Sequence, residues 1–112
     1  MKTSEIEKIR NICKRNDFSY SVSDDFHTFE TYTTYGQDWL CEITAEDMDE
    51  LMERMYDFLD TYDEDYEASL WIGEDGHGKN GAPYHIEDIV ADMMDGWHKL
   101  DNIYKELKNI DK

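Results

Sequence analysis

"FSYSVSDDFHTFETYTTYGQDWLCEI", residues 18–43, holds three runs in which apolar or aromatic side chains alternate with polar ones. Phe18, Tyr20 and Val22 alternate with Ser19 and Ser21; "HTFETYTTY" over residues 27–35 is the second run; Trp39, Cys41 and Ile43 form the third. A period of two puts every second side chain on one face of a strand, and aromatic and β-branched residues suit that pleated surface. The separating segments, "SDD" and "YGQD", are short enough for hairpins, so the simplest topology is an antiparallel three-stranded meander.

The period changes on both sides of this region. Upstream, residues 3–15 predict a helix. Thr3 or Ser4 can cap it, Glu5 and Glu7 sit in its first turn, and Ile6, Ile9, Ile12 and Cys13 share one face while Lys8, Arg10, Lys14 and Arg15 face water. Downstream, Thr44 followed by Asp47 resembles a capping box, and Met48, Leu51, Met52, Met55, Phe58, Leu59 and Tyr62 mark the apolar face of a second helix. "DEDYEASLWIG" is ambiguous between a strand ending in "SLWI" and a short helix. The helix is preferred because Asp63 can cap it, Glu64, Asp65 and Glu67 suit a helix N-terminus, and Gly73 can close it. From about Ile86 to Ile110 the apolar positions Ile86, Val90, Met93, Trp97, Leu100, Tyr104 and Leu107 recur at four and three, a heptad seam expected to pack over the sheet within the chain. Pro83 fits just ahead of this helix. Gly96 inside it costs about 1 kcal/mol relative to Ala and points to close approach of another element. The expected fold is therefore α+β, a single domain over residues 1–112: an N-terminal helix, a three-stranded antiparallel meander, then two or three helices packed on the sheet.

The chain has no apolar run long enough for a signal peptide or a membrane span, so the expected location is the cytoplasm, where Cys13 and Cys41 stay reduced and buried. "GEDGHGKNGAP", residues 73–83, comes close to the spacing of a phosphate-binding loop, but the position that needs a Ser or Thr hydroxyl is Asn80. Glu74 and Asp75 would repel the phosphates, and Gly81 and Pro83 prevent an immediate helix start. The loop reads instead as a tight connector whose glycines take positive φ. His77 and His85 flank it without a third or fourth zinc ligand in reach of sequence spacing. A calcium loop counted from Asp60 would need Gly and Glu where Asp65 and Trp71 stand. No nucleophile, base and orienting group can be picked out, so the expectation is a protein that is no enzyme and has neither cofactor nor metal.

Charge is the most informative property. The formal net charge is −17, and between Asn16 and His98 only Arg54 and Lys79 stand against 23 Asp and Glu. On the second helix Glu46, Asp49, Glu50, Glu53, Asp57 and Asp60 recur at three and four opposite the apolar face, a stripe about 21 Å long at 1.5 Å per residue. Asp63, Glu64, Asp65 and Glu67 continue it. Like charges at such spacings repel, so the arrangement costs stability beyond what solubility alone would require. Carboxylates about 5–6 Å apart on a rigid helix resemble a row of phosphates. These ten residues are the candidate contacts with the Lys/Arg-lined cleft of a basic nucleic-acid-binding protein, while direct contact with nucleic acid is disfavoured by the same charge.

The C-terminal half, "FLDTYDEDYEASLWIGEDGHGKNGAPYHIEDIVADMMDGWHKLDNIYKELK", resembles small acidic accessory proteins of bacterial conjugative elements and prophages, with their acidic aromatic helix, "GxNGAP"-like connector and final acidic helix. The resemblance implies a mobile-element setting, in which acidic inhibitors of restriction or CRISPR effectors are a known class. It carries over no site residues. The alternative expectation is a regulatory or adaptor module of such an element, binding another protein through exposed aromatics such as Tyr32 and Tyr35. The chain is expected to be a monomer, or a homodimer paired through its last helix.

Overall fold

A computed structural model describes residues 1–110 of the chain. The order is α1 (Thr3–Arg15), β1 (Ser19–Ser23), β2 (Phe26–Tyr32), β3 (Asp38–Thr44), α2 (Met48–Thr61), α3 (Glu64–Ser69) and α4 (Ile86–Lys108). The strands form one antiparallel sheet in the order β1-β2-β3, with Tyr20 opposite Phe29 and Phe29 opposite Cys41 in the register. The fold is α+β, with the helices on one sheet face.

Alternation decides which face is covered. Tyr20, His27, Phe29, Thr31, Trp39, Cys41 and Ile43 are buried, while Ser19, Ser21, Ser23, Tyr32, Asp38, Leu40, Glu42 and Thr44 on the opposite face are exposed. Trp39 joins the layers. Its ring meets Phe18 and Phe58 edge-on, at 5.9 and 5.8 Å between centroids, and its Nε1 donates to the Met93 carbonyl and the Tyr62 hydroxyl. His27 is fully buried between Tyr20 and the Ala45 carbonyl. Because that carbonyl can only accept, Nε2 carries the proton and Nδ1 accepts from the Tyr20 hydroxyl at 2.7 Å. Burial pushes the Cys13 and Cys41 thiols up to about 12, with the Glu106 and Glu42 carboxylates adding smaller upward pushes, so neither is a nucleophile at neutral pH.

The α4 seam differs in phase from the expected heptad. Its buried positions are Ile89, Asp92, Met93, Gly96, Leu100, Ile103 and Leu107, whereas Ile86 is exposed and Val90, Trp97 and Tyr104 are half-buried. Trp97 and Tyr104 turn toward α2 instead: Trp97 Nε1 donates to the Leu59 carbonyl, and Tyr104 lies beside Tyr56. The phase was displaced because Asp92 and Gly96 face the sheet without contributing to apolar periodicity. Gly96 sits against Trp39, as the expected close approach requires, and a Cβ there would lie 2.5 Å from Cδ1 and Cδ2 of the ring.

One cap and two boundaries also differ from expectation. Helix α1 spans residues 3–15, but its cap is Lys2, whose N–H donates to the Glu5 carboxylate, so Thr3 and Ser4 lie inside the helix. Strand β2 ends at Tyr32, because Thr33 to Tyr35 fold into a turn with Gly36 at φ +82°. Helix α3 ends at Ser69 with Leu70 as its cap, four residues before Gly73. Gly73 instead donates its N–H to the His77 carbonyl at the base of the connector. There Gly76 and Gly81 adopt φ of +81° and +83°, and any Cβ on Gly78 would clash with the Pro83 carbonyl. No helix among the described residues is long and apolar enough to cross a membrane.

Candidate functional site

Helix α2 begins one cap later than the Thr44 pattern predicts. Thr44 ends β3, and Asp47 is the N-cap, its carboxylate accepting from Glu50 N–H at 2.8 Å. Glu50 reaches back to accept from Glu46 N–H at 3.2 Å and lies 3.6 Å from the Arg54 guanidinium. Glu46 therefore precedes the helix, and Glu50 is occupied by the cap and by Arg54. The two differ in kind from the other four members of the stripe.

Asp49, Glu53, Asp57 and Asp60 are exposed. At 3.6 residues per turn they fall within an arc of about 80° over about 16 Å of helix, opposite buried Leu51, Met55 and Leu59. Four cations of the chain ends are engaged elsewhere: Arg10 with Glu7, Arg15 with Glu106, Lys99 with Asp95 and Lys105 with Asp101. Among the described residues no ion pair involves any of these four carboxylates.

The acids of the α3 region are arranged differently. Asp63 caps α3 by accepting from Tyr66 N–H at 3.0 Å, and Asp65 is exposed. Glu64 and Glu67 are half-buried beside Tyr62. Partial burial first, and the neighbouring Asp63 carboxylate second, raise the Glu67 carboxyl above the ordinary Glu range. The Tyr62 hydroxyl is pushed up to about 12, chiefly by burial. Of the ten candidates the fold thus gathers Asp49, Glu53, Asp57 and Asp60 into one free face. It uses Glu50 and Asp63 for capping, sets Glu46 before the helix, leaves Asp65 exposed on α3, and turns Glu64 and Glu67 partly inward.

Two depressions that sequence reasoning missed lie next to this face. A cleft of 290 Å³ is lined by Asp38, Leu40, Phe58, Tyr62, Glu67 and Lys79, among others. A shallower one of 340 Å³ is lined by Glu42, Ile43, Thr44, Arg54, Asp57 and Phe58. They share Phe58 and follow β3. No local motif announces them, since they arise where α2 and the connector are folded against the strand. Comparison of the chain with protein families, curated proteins and solved structures finds no match. The site is therefore defined by its own geometry, an acidic helix face beside the last strand of an α+β domain.

Proposed function

We propose that this chain is a non-enzymatic, cytoplasmic inhibitor that occupies the basic cleft of a nucleic-acid-binding defence protein of the restriction or CRISPR type, in the setting of a bacterial mobile element. The observation that carries the reading is the row Asp49, Glu53, Asp57 and Asp60, exposed on one helix face and in no ion pair among the described residues. Keeping like charges about 5–6 Å apart without counter-charge costs helix stability, and a cationic cleft would return that cost on binding.

The test uses Glu53→Lys, Asp57→Lys and Asp60→Lys together and leaves Glu50 in place, because reversing Glu50 would also remove a cap. A nuclease-treated bacterial lysate passed over the wild-type chain is expected to yield a basic protein that double-stranded DNA elutes and that the triple variant does not retain. Equal retention by the folded variant would rule the surface out.

A second reading, an adaptor that binds through apolar contact, is favoured by the helix-free sheet face, where Phe26, Tyr32 and Leu40 stand 44, 64 and 45 % exposed. Salt separates the two. Electrostatic occupation weakens steeply between low and physiological ionic strength, whereas apolar docking is nearly indifferent to it.

A further inference from the structure

Among the described residues strand β3 is an outer strand, paired only with β2. The phase of its ladder follows from the hydrogen bonds at its two ends, Ala45 N–H to the Asp25 carbonyl at 2.8 Å and Thr33 N–H to the Gln37 carbonyl at 2.9 Å. In an antiparallel pair the bonded positions alternate, so Trp39, Cys41 and Ile43 direct their backbone groups toward β2. Asp38, Leu40, Glu42 and Thr44 direct theirs outward. Among the described residues no backbone or side-chain group bonds to the N–H or C=O of these four. The opposite edge is much shorter. There β1 spans Ser19–Ser23, and the same alternation turns only Tyr20 and Val22 outward.

A long unpaired edge is a template for another strand, and proteins ordinarily cover or shorten it. Here the two depressions described above follow the edge, one at Asp38 and Leu40 and the other at Glu42 and Thr44, with Phe58 as their common floor. The charges around them identify the occupant: Asp38, Glu42, Asp57 and Glu67 outnumber Arg54 and Lys79. Asp57 belongs both to the groove and to the free acidic face of α2.

We infer that the outer edge of β3 receives an extended, Lys/Arg-bearing segment of a partner protein as a fourth strand. The segment's backbone pairs with Leu40 and Glu42, its apolar side chains rest on Phe58 on the helix-covered face, and its cations, on the opposite face, lie beside the Asp38 and Glu42 carboxylates. Main-chain bonds supply affinity in this mode, and alternate side chains supply selectivity. The charge of the occupant rests on the acidic-surface reading above; the open ladder does not.

The probe is a blocked peptide of alternating Lys and Val about nine residues long, enough to span seven-residue β3 at about 3.4 Å per residue. It is titrated into the ¹⁵N-labelled full chain while amide hydrogen exchange is followed. Exchange at Leu40, Glu42 and Thr44 is expected to slow at least about tenfold on saturation, with no comparable effect from a Glu and Val peptide. Leu40→Pro removes an outward N–H and spares the bonds to β2, so it is expected to weaken binding about tenfold more than Leu40→Ala does. Should the proline variant not fold, the amide protection in the wild-type chain still decides.

No binding of the Lys peptide, or binding that leaves those amides unprotected, would overturn the strand addition. Equal binding of the Glu peptide would overturn the basic occupant. Full protection of the edge amides in the Glu53→Lys, Asp57→Lys, Asp60→Lys chain would uphold strand addition while removing the acidic stripe from recognition, so the two readings fail separately.

Discussion

Gly96 is the point at which α4 comes down onto the sheet, and the absence of a side chain there sets the depth of the core. In an exposed helix Gly→Ala would stabilise by about 1 kcal/mol. Here the added methyl would meet the indole of Trp39, which is 3 % exposed and held by the Met93 carbonyl and the Tyr62 hydroxyl, so the ring has no direction in which to yield. Overpacking of this kind typically costs about 1–3 kcal/mol. Gly96→Ala is therefore expected to lower unfolding free energy by about 2 kcal/mol in urea titration, with loss of the near-ultraviolet signal from Trp39. A variant as stable as wild type would mean that the helix can ride up without penalty, and that Trp39 is not the hub of the core.

Among the elements, the β2–β3 turn depends on α4 more than on its own sequence. Thr33 donates its hydroxyl to the Asp92 carboxylate and accepts Gln37 N–H at 2.9 Å, while Tyr35 N–H donates to Asp92 at 3.0 Å. Asp92 is 2 % exposed, so removing its carboxylate strands two donors in or near the core. Asp92→Ala is expected to cost about 2 kcal/mol in chemical denaturation and to accelerate amide exchange at Tyr35. Asp92→Asn, which keeps an acceptor, should cost less. A change below about 0.5 kcal/mol for the alanine variant, within the range of ordinary surface substitutions, would show that the turn holds itself.

This contact also explains which parts of the fold were legible in the sequence. The meander and the apolar face of α2 could be read because local alternation and burial coincide there. The early end of β2 and the phase of α4 could not, because both are decided by a buried carboxylate and a bare glycine pairing across 59 and 57 residues of chain, and neither contributes to an apolar period. The acidic face was legible as composition. Glu50's role in the cap and the outward phase of β3 required the register, which only hydrogen-bond geometry supplies.

At the scale of the whole molecule, a net charge of −17 on 112 residues makes self-repulsion a standing cost of the compact state. Two carboxylates respond to acid in opposite ways. Glu106 accepts from Asn16 and Arg15, which hold its carboxyl below the ordinary Glu range; that stabilisation is complete above the unfolded-state value and is lost as pH falls through the lower folded-state value. Glu67 is raised by burial and by Asp63, so the fold favours its protonated form and gains stability as pH falls through a point above the ordinary range. Protonation of Glu67 and relief of the general repulsion thus precede the loss of the Glu106 contact. Melting temperature is expected to rise as pH falls from 7 toward the upper edge of the ordinary carboxylate range and to fall again once pH drops below the ordinary Glu range. Glu67→Gln should flatten the first limb and Glu106→Gln the second. Added salt at pH 7 should act in two directions at once, raising the melting temperature by screening the chain's own carboxylates while weakening capture of a basic partner through the same screening. Both are read from one set of buffers, by calorimetry on the free chain and by titration of the Lys and Val peptide. A melting temperature that falls with salt would mean that the surface carboxylates are already compensated within the fold, and a row compensated in that way has no charge left to offer a cationic cleft.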